Sequence, residues 1–217
     1  LVGGEGRDTL NGAEGSDWLV GGANGVDLFS NQGDVLIGNQ GDDVLDGSSD
    51  NGDVDSTNID RLEGGAGNDV YIFDRGYGTD VISDFDDQFN ETEARESNTL
   101  SEYLLGLDNY DVIKDYIDLP NTFGARDGGG IDVIEFGKDI TLNHINISHN
   151  IESDDFIITL LNDSGEKTND KLIVKNWSNI FRRVEALQFA DGQRIDLANI
   201  QSFISGTPSN DLIKGSI

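Results

Sequence analysis

Aspartate recurs along the first third of the chain at Asp8, Asp17, Asp27, Asp34, Asp43, Asp60, Asp69 and Asp80, nearly always just after a glycine-rich stretch. Glycine leaves the backbone bare and accepts positive φ, so carbonyl oxygens can converge on a ligand without Cβ obstruction. A carboxylate beside bare carbonyls is an oxygen-only donor set, which suits a hard cation. Calcium fits it best: its roughly six to eight flexible oxygen ligands include backbone carbonyls, whereas magnesium prefers a tighter octahedron and keeps its waters. The chain has no Cys, and its two histidines, His144 and His149, lie far outside this stretch, so zinc or copper has little to hold it.

The elements that must position these oxygens are short and repeated. In register the stretch reads GGEGRDTLN (3–11), GAEGSDWLV (12–20), GGANGVDLFS (21–30), a shortened NQGDVLI (31–37) and GNQGDDVLD (38–46). An interrupted copy follows at 47–63, then GGAGNDVYI (64–72) and a degenerate FDRGYGTDVIS (73–83). Two places after each aspartate comes an apolar residue: Leu10, Leu19, Phe29, Leu36, Leu45, Leu62, Tyr71 and Ile82. The segments are too short for helices and long enough for brief strands, so each copy turns with one half and packs with the other. A unit this small buries its apolar residue only by stacking on its neighbours. A flexible Gly/Ser linker would not hold an apolar residue at a constant offset from each aspartate.

This pattern resembles the calcium-binding nonapeptide of the RTX family of secreted toxins, proteases, lipases and adhesins, for which GGxGxDxUx is a signature. The resemblance covers roughly residues 1–83 and resumes at GTPSNDLIKG (206–215), where Asp211 and Ile213 hold the aspartate and apolar places. It implies a mainly β fold: a right-handed parallel β-roll, or β-solenoid, with two nonapeptides per turn and Ca2+ ions between successive loops on each side. On that scheme Asp8, Asp27, Asp43 and Asp69 line one side, and Asp17, Asp34, Asp60 and Asp80 the other.

The same resemblance implies which carbonyls bind. One ion takes Gly4, Gly6 and Asp8 with Gly21, Ala23 and Asp27, and another takes Asn39, Gly41 and Asp43 with Gly64, Ala66 and Asp69. Between them Gly22, Gly25 and Asp27 face Gly38, Gln40 and Asp43. Ala13 and Gly15 join Asp17, Gly65 and Gly67 join the set around Asp69, and Tyr77 joins Asp80. The second side is expected to hold fewer ions, because the copy at 31–37 is short and the copy at 47–63 carries extra residues.

Charge agrees with a cation-binding chain. Asp and Glu number 42 against 14 Lys and Arg, a formal net charge of −28, which opposes compaction and disfavours nucleic acid or anionic membrane as a direct partner. Bound divalent ions would cancel much of that charge at the loops that concentrate it, so folding is expected to depend on metal. No apolar run approaches the length of a membrane span.

Residues 84–205 have a different texture: the order IEFGKDITLNHINIS, FIITLLNDSG and LIVKNWSNIFRRVEALQFADGQRIDL resembles the region that follows RTX repeats in many large secreted proteins and packs on the last turn of the roll, so 84–205 is read as that cap. Asp84–Asn98 is an acidic loop, and Leu100, Tyr103, Leu104 and Leu107 mark one face of a short helix within 99–119, which Tyr110–Leu119 either prolongs or follows as a strand. Strands are expected over 131–136, around 144–148, and over 155–161, 171–177 and 184–197, with ADGQ as a hairpin turn and a short helix over 197–204. The expected organisation is thus a roll at 1–83, a capping region at 84–205 with a long insertion at about 84–130, and a further repeat array from 206.

Nothing in the sequence reads as a catalytic constellation. HExxH and GxSxG are absent, and GGAGND lacks the Lys-Ser/Thr ending of a phosphate loop. Trp18 and Trp177 beside aliphatic residues read as packing rather than as a sugar platform. The expectation is a non-enzymatic Ca2+ module of a large bacterial protein, secreted or held at the cell surface, that folds on extracellular calcium after type I-like export and supports neighbouring domains. Two alternatives stand beside it: an adhesive module with a glycan or surface ligand, and an accessory module of a secreted protease, lipase or epimerase.

Overall fold

The computed structural model describes residues 1–23, 33–48, 59–84, 130–179, 182 and 184–197. The first eight strands are β1 (Val2–Glu5), β2 (Thr9–Glu14), β3 (Trp18–Ala23), β4 (Val35–Gln40), β5 (Val44–Asp46), β6 (Ile59–Ala66), β7 (Val70–Phe73) and β8 (Thr79–Ile82). They alternate between two sheets, so each pairs in parallel with the strand two ahead of it. Short glycine loops turn the chain from one sheet to the other, and the residue two places after the aspartate points into the space between them. Leu19, Leu45 and Tyr71 stack in register in one sheet, and Leu10, Leu36, Leu62 and Ile82 in the other. All of these except the half-buried Leu10 are buried. Burial of each such side chain contributes about 1.5–3 kcal/mol; Phe29 lies outside the described residues.

The region after residue 83 continues both sheets. Strand β9 (Val133–Phe136) adds in parallel to β7, and Ile134 extends the row from Tyr71. In the other sheet β12 (Lys167–Val174) adds in parallel to β8. Beyond β12 pairing turns antiparallel, while one more strand still adds in parallel to β9 before pairing turns antiparallel there too. There β11 (Asp155–Leu161) and β10 (Ile145–Asn150) follow β12, and the hairpin of β13 (Ala186–Gln188) and β14 (Arg194–Asp196) follows β9. The strands expected between 131 and 197 all form, and Gly192 N–H donating to the Phe189 carbonyl closes the ADGQ hairpin. Phe156, Trp177, Phe136, Phe189 and Val184 give this end the larger core, with Phe156 and Trp177 stacked at a centroid distance of 4.1 Å. Trp177 is therefore packing, as expected, whereas Trp18 is 61% exposed.

Among the described residues there is no α-helix, and the one helical turn is the 3-10 turn Leu142–His144. The helix expected within 99–119, the acidic loop after Asp84 and the array from 206 lie outside the described residues, as does 198–204 of the last expected helix; Leu197 itself sits in a bend.

The repeat step is not nine residues. Strand β4 pairs directly with β2, Leu10 standing against Leu36, and β6 pairs directly with β4. The copies at 21–30 and 31–37, expected as two steps, therefore amount to one: chain that leaves β3 after Ala23 reaches Asp34 before it delivers β4. The interval between β5 and β6 likewise makes up one step. The true step over this region is 26 residues, as the backbone bonds from Asp8 to Asp34 and from Asp34 to Asp60 show.

Candidate metal centre

That step decides which aspartates meet. At one edge of the paired sheets Asp8 N–H donates to Asp34 Oδ1 at 2.6 Å, Asp34 N–H to Asp60 Oδ1 at 2.6 Å, and Asp60 stands in register with Asp80. At the other edge Asp17 N–H donates to Asp43 Oδ1 at 2.7 Å, Asp43 N–H to Asp69 Oδ1 at 2.8 Å, and Asp69 N–H to Asp132 Oδ1 at 2.9 Å. The expected sides were Asp8 with Asp43 and Asp69, and Asp17 with Asp34, Asp60 and Asp80. Asp8 and Asp17 exchange sides, because the copy carrying Asp27 adds no strand between β2 and β4.

The second edge has the regular loops, at 12–17, 38–43 and 64–69. Ala13 and Asn39 take left-handed φ of 75° and 79°, as do Gly65, Gly15, Gly41 and Gly67. Gly41, Gly67 and Gly130 lie so close to the carbonyls of Gly15, Gly41 and Gly67 respectively that a Cβ would collide with them. Third-place carbonyls are already engaged: Gly15 N–H donates to Gln40 and Gly41 N–H to Ala66, both at 2.8 Å. A Cβ on Gly12 or Gly38 would meet the first-place carbonyl of the next loop and the Oδ2 of its own aspartate. Bare glycine thus keeps open a cradle lined by carbonyl and carboxylate oxygens.

Of the expected ligand sets, the one made of Asn39, Gly41, Asp43, Gly64, Ala66 and Asp69 is brought together on adjacent loops. The set of Gly4, Gly6 and Asp8 with Gly21 and Ala23 is half formed. Gly4 stands opposite Gly22 and Gly6 N–H donates to Ala23, but Asp34 takes the place given to Asp27, which lies with Gly25 outside the described residues. The set joining Gly22, Gly25 and Asp27 to Gly38, Gln40 and Asp43 is not formed. Gly22 is at the opposite edge, and the loop at 38–43 faces Ala13, Gly15 and Asp17 instead. Tyr77 bonds Asp46 and sets its ring edge-on to Phe73 at 5.9 Å, and burial pushes its hydroxyl pKa up.

Sequence reasoning missed Gly130, Asp132 and Asp84. A signal for Asp132 was present, since GGGIDVI keeps the apolar Ile134 two places after the aspartate.

The donors fit a hard cation. One oxygen each of Asp43 and Asp69 accepts a backbone N–H, while the other, Oδ2, is buried without a hydrogen-bond partner, as is Asp8 Oδ2. A buried carboxylate oxygen without a donor is costly. Burial accordingly pushes the Asp43 carboxyl up and Asp69 up to about 8, against the opposing pull of the neighbouring N–H. Among the described residues no three His, Asp or Glu side chains surround a common point, so an ion here needs backbone carbonyls to complete its shell. His144 and His149 take no part: His149 bonds Asp154 on edge strand β10, and His144 accepts the Thr141 N–H.

Residues 1–24, 30–54 and 55–82 match the RTX calcium-binding nonapeptide repeat (4 copies), and residues 155–199 match the haemolysin-type calcium binding protein related domain. No curated protein matches the chain. Two matched modules, in the order that the two sheets are built, make this chain an RTX haemolysin-type calcium-binding repeat protein, and the ion of its repeats is Ca2+.

Proposed function

We propose that the chain is a non-enzymatic module of a large secreted bacterial protein, a right-handed parallel β-roll that assembles when it meets extracellular calcium and then supports neighbouring domains. Residues 1–83 are the roll, 84–205 carry the insertion and the cap, and 206–217 open a further array. The observation that carries this reading is the edge row Asp17, Asp43, Asp69 and Asp132, in which the buried Oδ2 of Asp43 and of Asp69 has no donor. Without a cation such a row resists closure, and the charge of −28 adds to the resistance. Extracellular calcium modules bind at about 10⁻⁴–10⁻³ M, far above cytosolic levels. The chain would stay expanded inside the cell, pass a one-step type I-like exporter, and collapse outside. The ligands are the residues brought together at the second edge: Ala13, Gly15 and Asp17 with Asn39, Gly41 and Asp43, and these with Gly64, Gly65, Ala66, Gly67 and Asp69.

Far-UV circular dichroism and hydrodynamic radius, measured on chelated protein titrated with calcium or magnesium, test this. Calcium is expected to produce a compact β-rich state cooperatively, magnesium is not, and Asp43→Ala is expected to raise the calcium midpoint at least tenfold. A chelated chain that is already compact, with no response to calcium, would sink the proposal.

A further inference from the structure

The sheet of β3, β5, β7 and β9 has an outer face that neither the core nor the aspartate edges use. Leu19, Leu45, Tyr71 and Ile134 point into the core, so the residues before them, Trp18, Val44, Val70 and Val133, point outward. Pairing sets these four side by side, and at about 4.8 Å per strand the apolar row spans roughly 14 Å. Trp18 is largely exposed and the three valines are half-buried. Acids flank the row on both sides. Two places before Val44 stands the exposed Asp42, which accepts the Asn68 N–H at 2.8 Å, and two places after Val44 and Val133 stand Asp46 and the exposed Glu135. Neither the row nor the outward rows on either side of it along these four strands contain a Lys or Arg. The other sheet lacks this character, because Arg61 interrupts its outward row of Thr9, Val35 and Val81.

We propose that this face docks a basic amphipathic helix of a partner protein, with its apolar stripe on the Trp18 row and its Lys or Arg side chains on the flanking carboxylates. From Asp42 to Asp46 the extended chain covers roughly 13 Å, and a helix with its side chains is about 10–12 Å wide, so one helix laid across the strands fills the band between the acids. Along the row, roughly 14 Å takes about nine residues of helix, enough to bring apolar residues at i, i+3, i+4 and i+7 onto it. Trp18 is the natural anchor, being the large apolar side chain that the fold leaves uncovered. Long basic side chains lie along apolar surface and carry their charge to its margin, where Asp42 and Glu135 stand. Charge selects this occupant over two others. A second copy of the chain would set −28 against −28. The amphipathic stretch within 99–119 carries Glu102, Asp108, Asp111, Asp115 and Asp118 against Lys114 alone, so the acid-lined band would repel it as well. The proposal needs the folded sheet and does not depend on which oxygens hold calcium.

The test is the fluorescence anisotropy of a dye-labelled peptide of leucine and lysine, with leucine at i, i+3, i+4 and i+7, titrated with the chain in saturating calcium. Circular dichroism first establishes that each variant is folded. The unmodified chain is expected to bind this peptide, and to bind one with glutamate in place of lysine at least a hundredfold more weakly. Trp18→Ala is expected to weaken binding at least tenfold, and so is Val70→Glu, although it adds a negative charge. Glu135→Lys is expected to weaken binding at least threefold more than Asp163→Lys, which makes the same charge change at an exposed residue between β11 and β12. Undiminished affinity in Trp18→Ala or Val70→Glu, or equal losses in Glu135→Lys and Asp163→Lys, would show that the peptide answers to net charge alone and would overturn the proposal. A peptide that does not bind the unmodified chain would overturn it too. Should Val70→Glu fail to fold, Trp18→Ala decides.

Discussion

The backbone N–H of Asp69 donates to Oδ1 of Asp132 at 2.9 Å across 63 residues of chain, repeating the bond that joins Asp43 to Asp69 across 26. The long segment between β8 and β9 is therefore inserted into one loop of an otherwise continuous edge, and the sheets pass it by. Calcium chemistry and packing meet at this edge, since each aspartate closes a loop and sits two places before a core residue.

Acidity should stabilise the calcium-free protein. Burial holds Asp69 at about 8 in the fold against 3.8 for an ordinary Asp, and Asp43 and Asp132 move the same way, with burial the first cause in each. These folded carboxyls hold protons that the unfolded chain has released, so stability is highest below about pH 4 for these groups and falls as pH rises toward 8. In calcium-depleted buffer the folded fraction read by far-UV circular dichroism should decline steadily from pH 5 as the chain expands toward pH 8. Saturating calcium should remove the decline, because the ion displaces the proton. A folded fraction that rises over this range in the absence of calcium would contradict the burial of these groups.

Two glycine substitutions separate backbone conformation from close packing. Gly6 has φ 103° with open space where a Cβ would stand, so Gly6→Ala should cost only the left-handed penalty of about 1–2 kcal/mol. Gly67 has φ 143° and faces the Gly41 carbonyl, so Gly67→Ala must also push two loops apart and should cost more than about 3 kcal/mol. Unfolding free energies in saturating calcium check the difference, and equal costs would show that the loops yield easily.

What the sequence displayed was local. The offset from aspartate to apolar residue is fixed within one turn and strand, so Leu19, Leu36, Leu45, Leu62, Tyr71 and Ile82 were all readable as core. Strand β11 was readable to the residue because DFIITLL is bounded by turn signals on both sides. The step between strands is set by which segments pair, and pairing is not local. Asp27 with Phe29 imitates a complete copy, and only the pairing of Leu10 with Leu36 reveals that it adds no strand there. Asp132 was hidden for the converse reason. Its loop resumes after a long interruption, and GGG alone reads as any loop.

The tryptophans should respond oppositely to truncation. Trp177 is 1% exposed and stacked on Phe156, so Trp177→Ala should cost about 3–5 kcal/mol of the stability of the calcium-loaded fold. Trp18 is largely exposed on the outer face of β3, and Trp18→Ala should stay within about 0.5 kcal/mol. Chemical unfolding of both variants at saturating calcium measures this. A large loss at Trp18 would indicate that its face is covered in solution.

At the first edge the last loop is held by protein groups rather than by the regular loop contacts. Asp170 Oδ1 accepts the Gly76 N–H at 3.0 Å and the Gly78 N–H at 3.2 Å, while Thr168 Oγ1 bonds its Oδ2 at 3.2 Å. Arg75 Nη1 reaches across to the Leu161 carbonyl at 3.0 Å. A carboxylate facing two backbone N–H groups does for this turn what the next loop does lower down, and it comes from β12, the strand that continues the sheet. Hydrogen bonds to a charged group contribute about 1.5–3 kcal/mol, so Asp170→Ala should lose about that much. Asp170→Asn keeps one acceptor oxygen and should lose about half. If this clamp is independent of metal, the loss should be equal in chelator at low pH and in saturating calcium. A loss that calcium abolishes would instead make Asp170 part of the metal-linked edge.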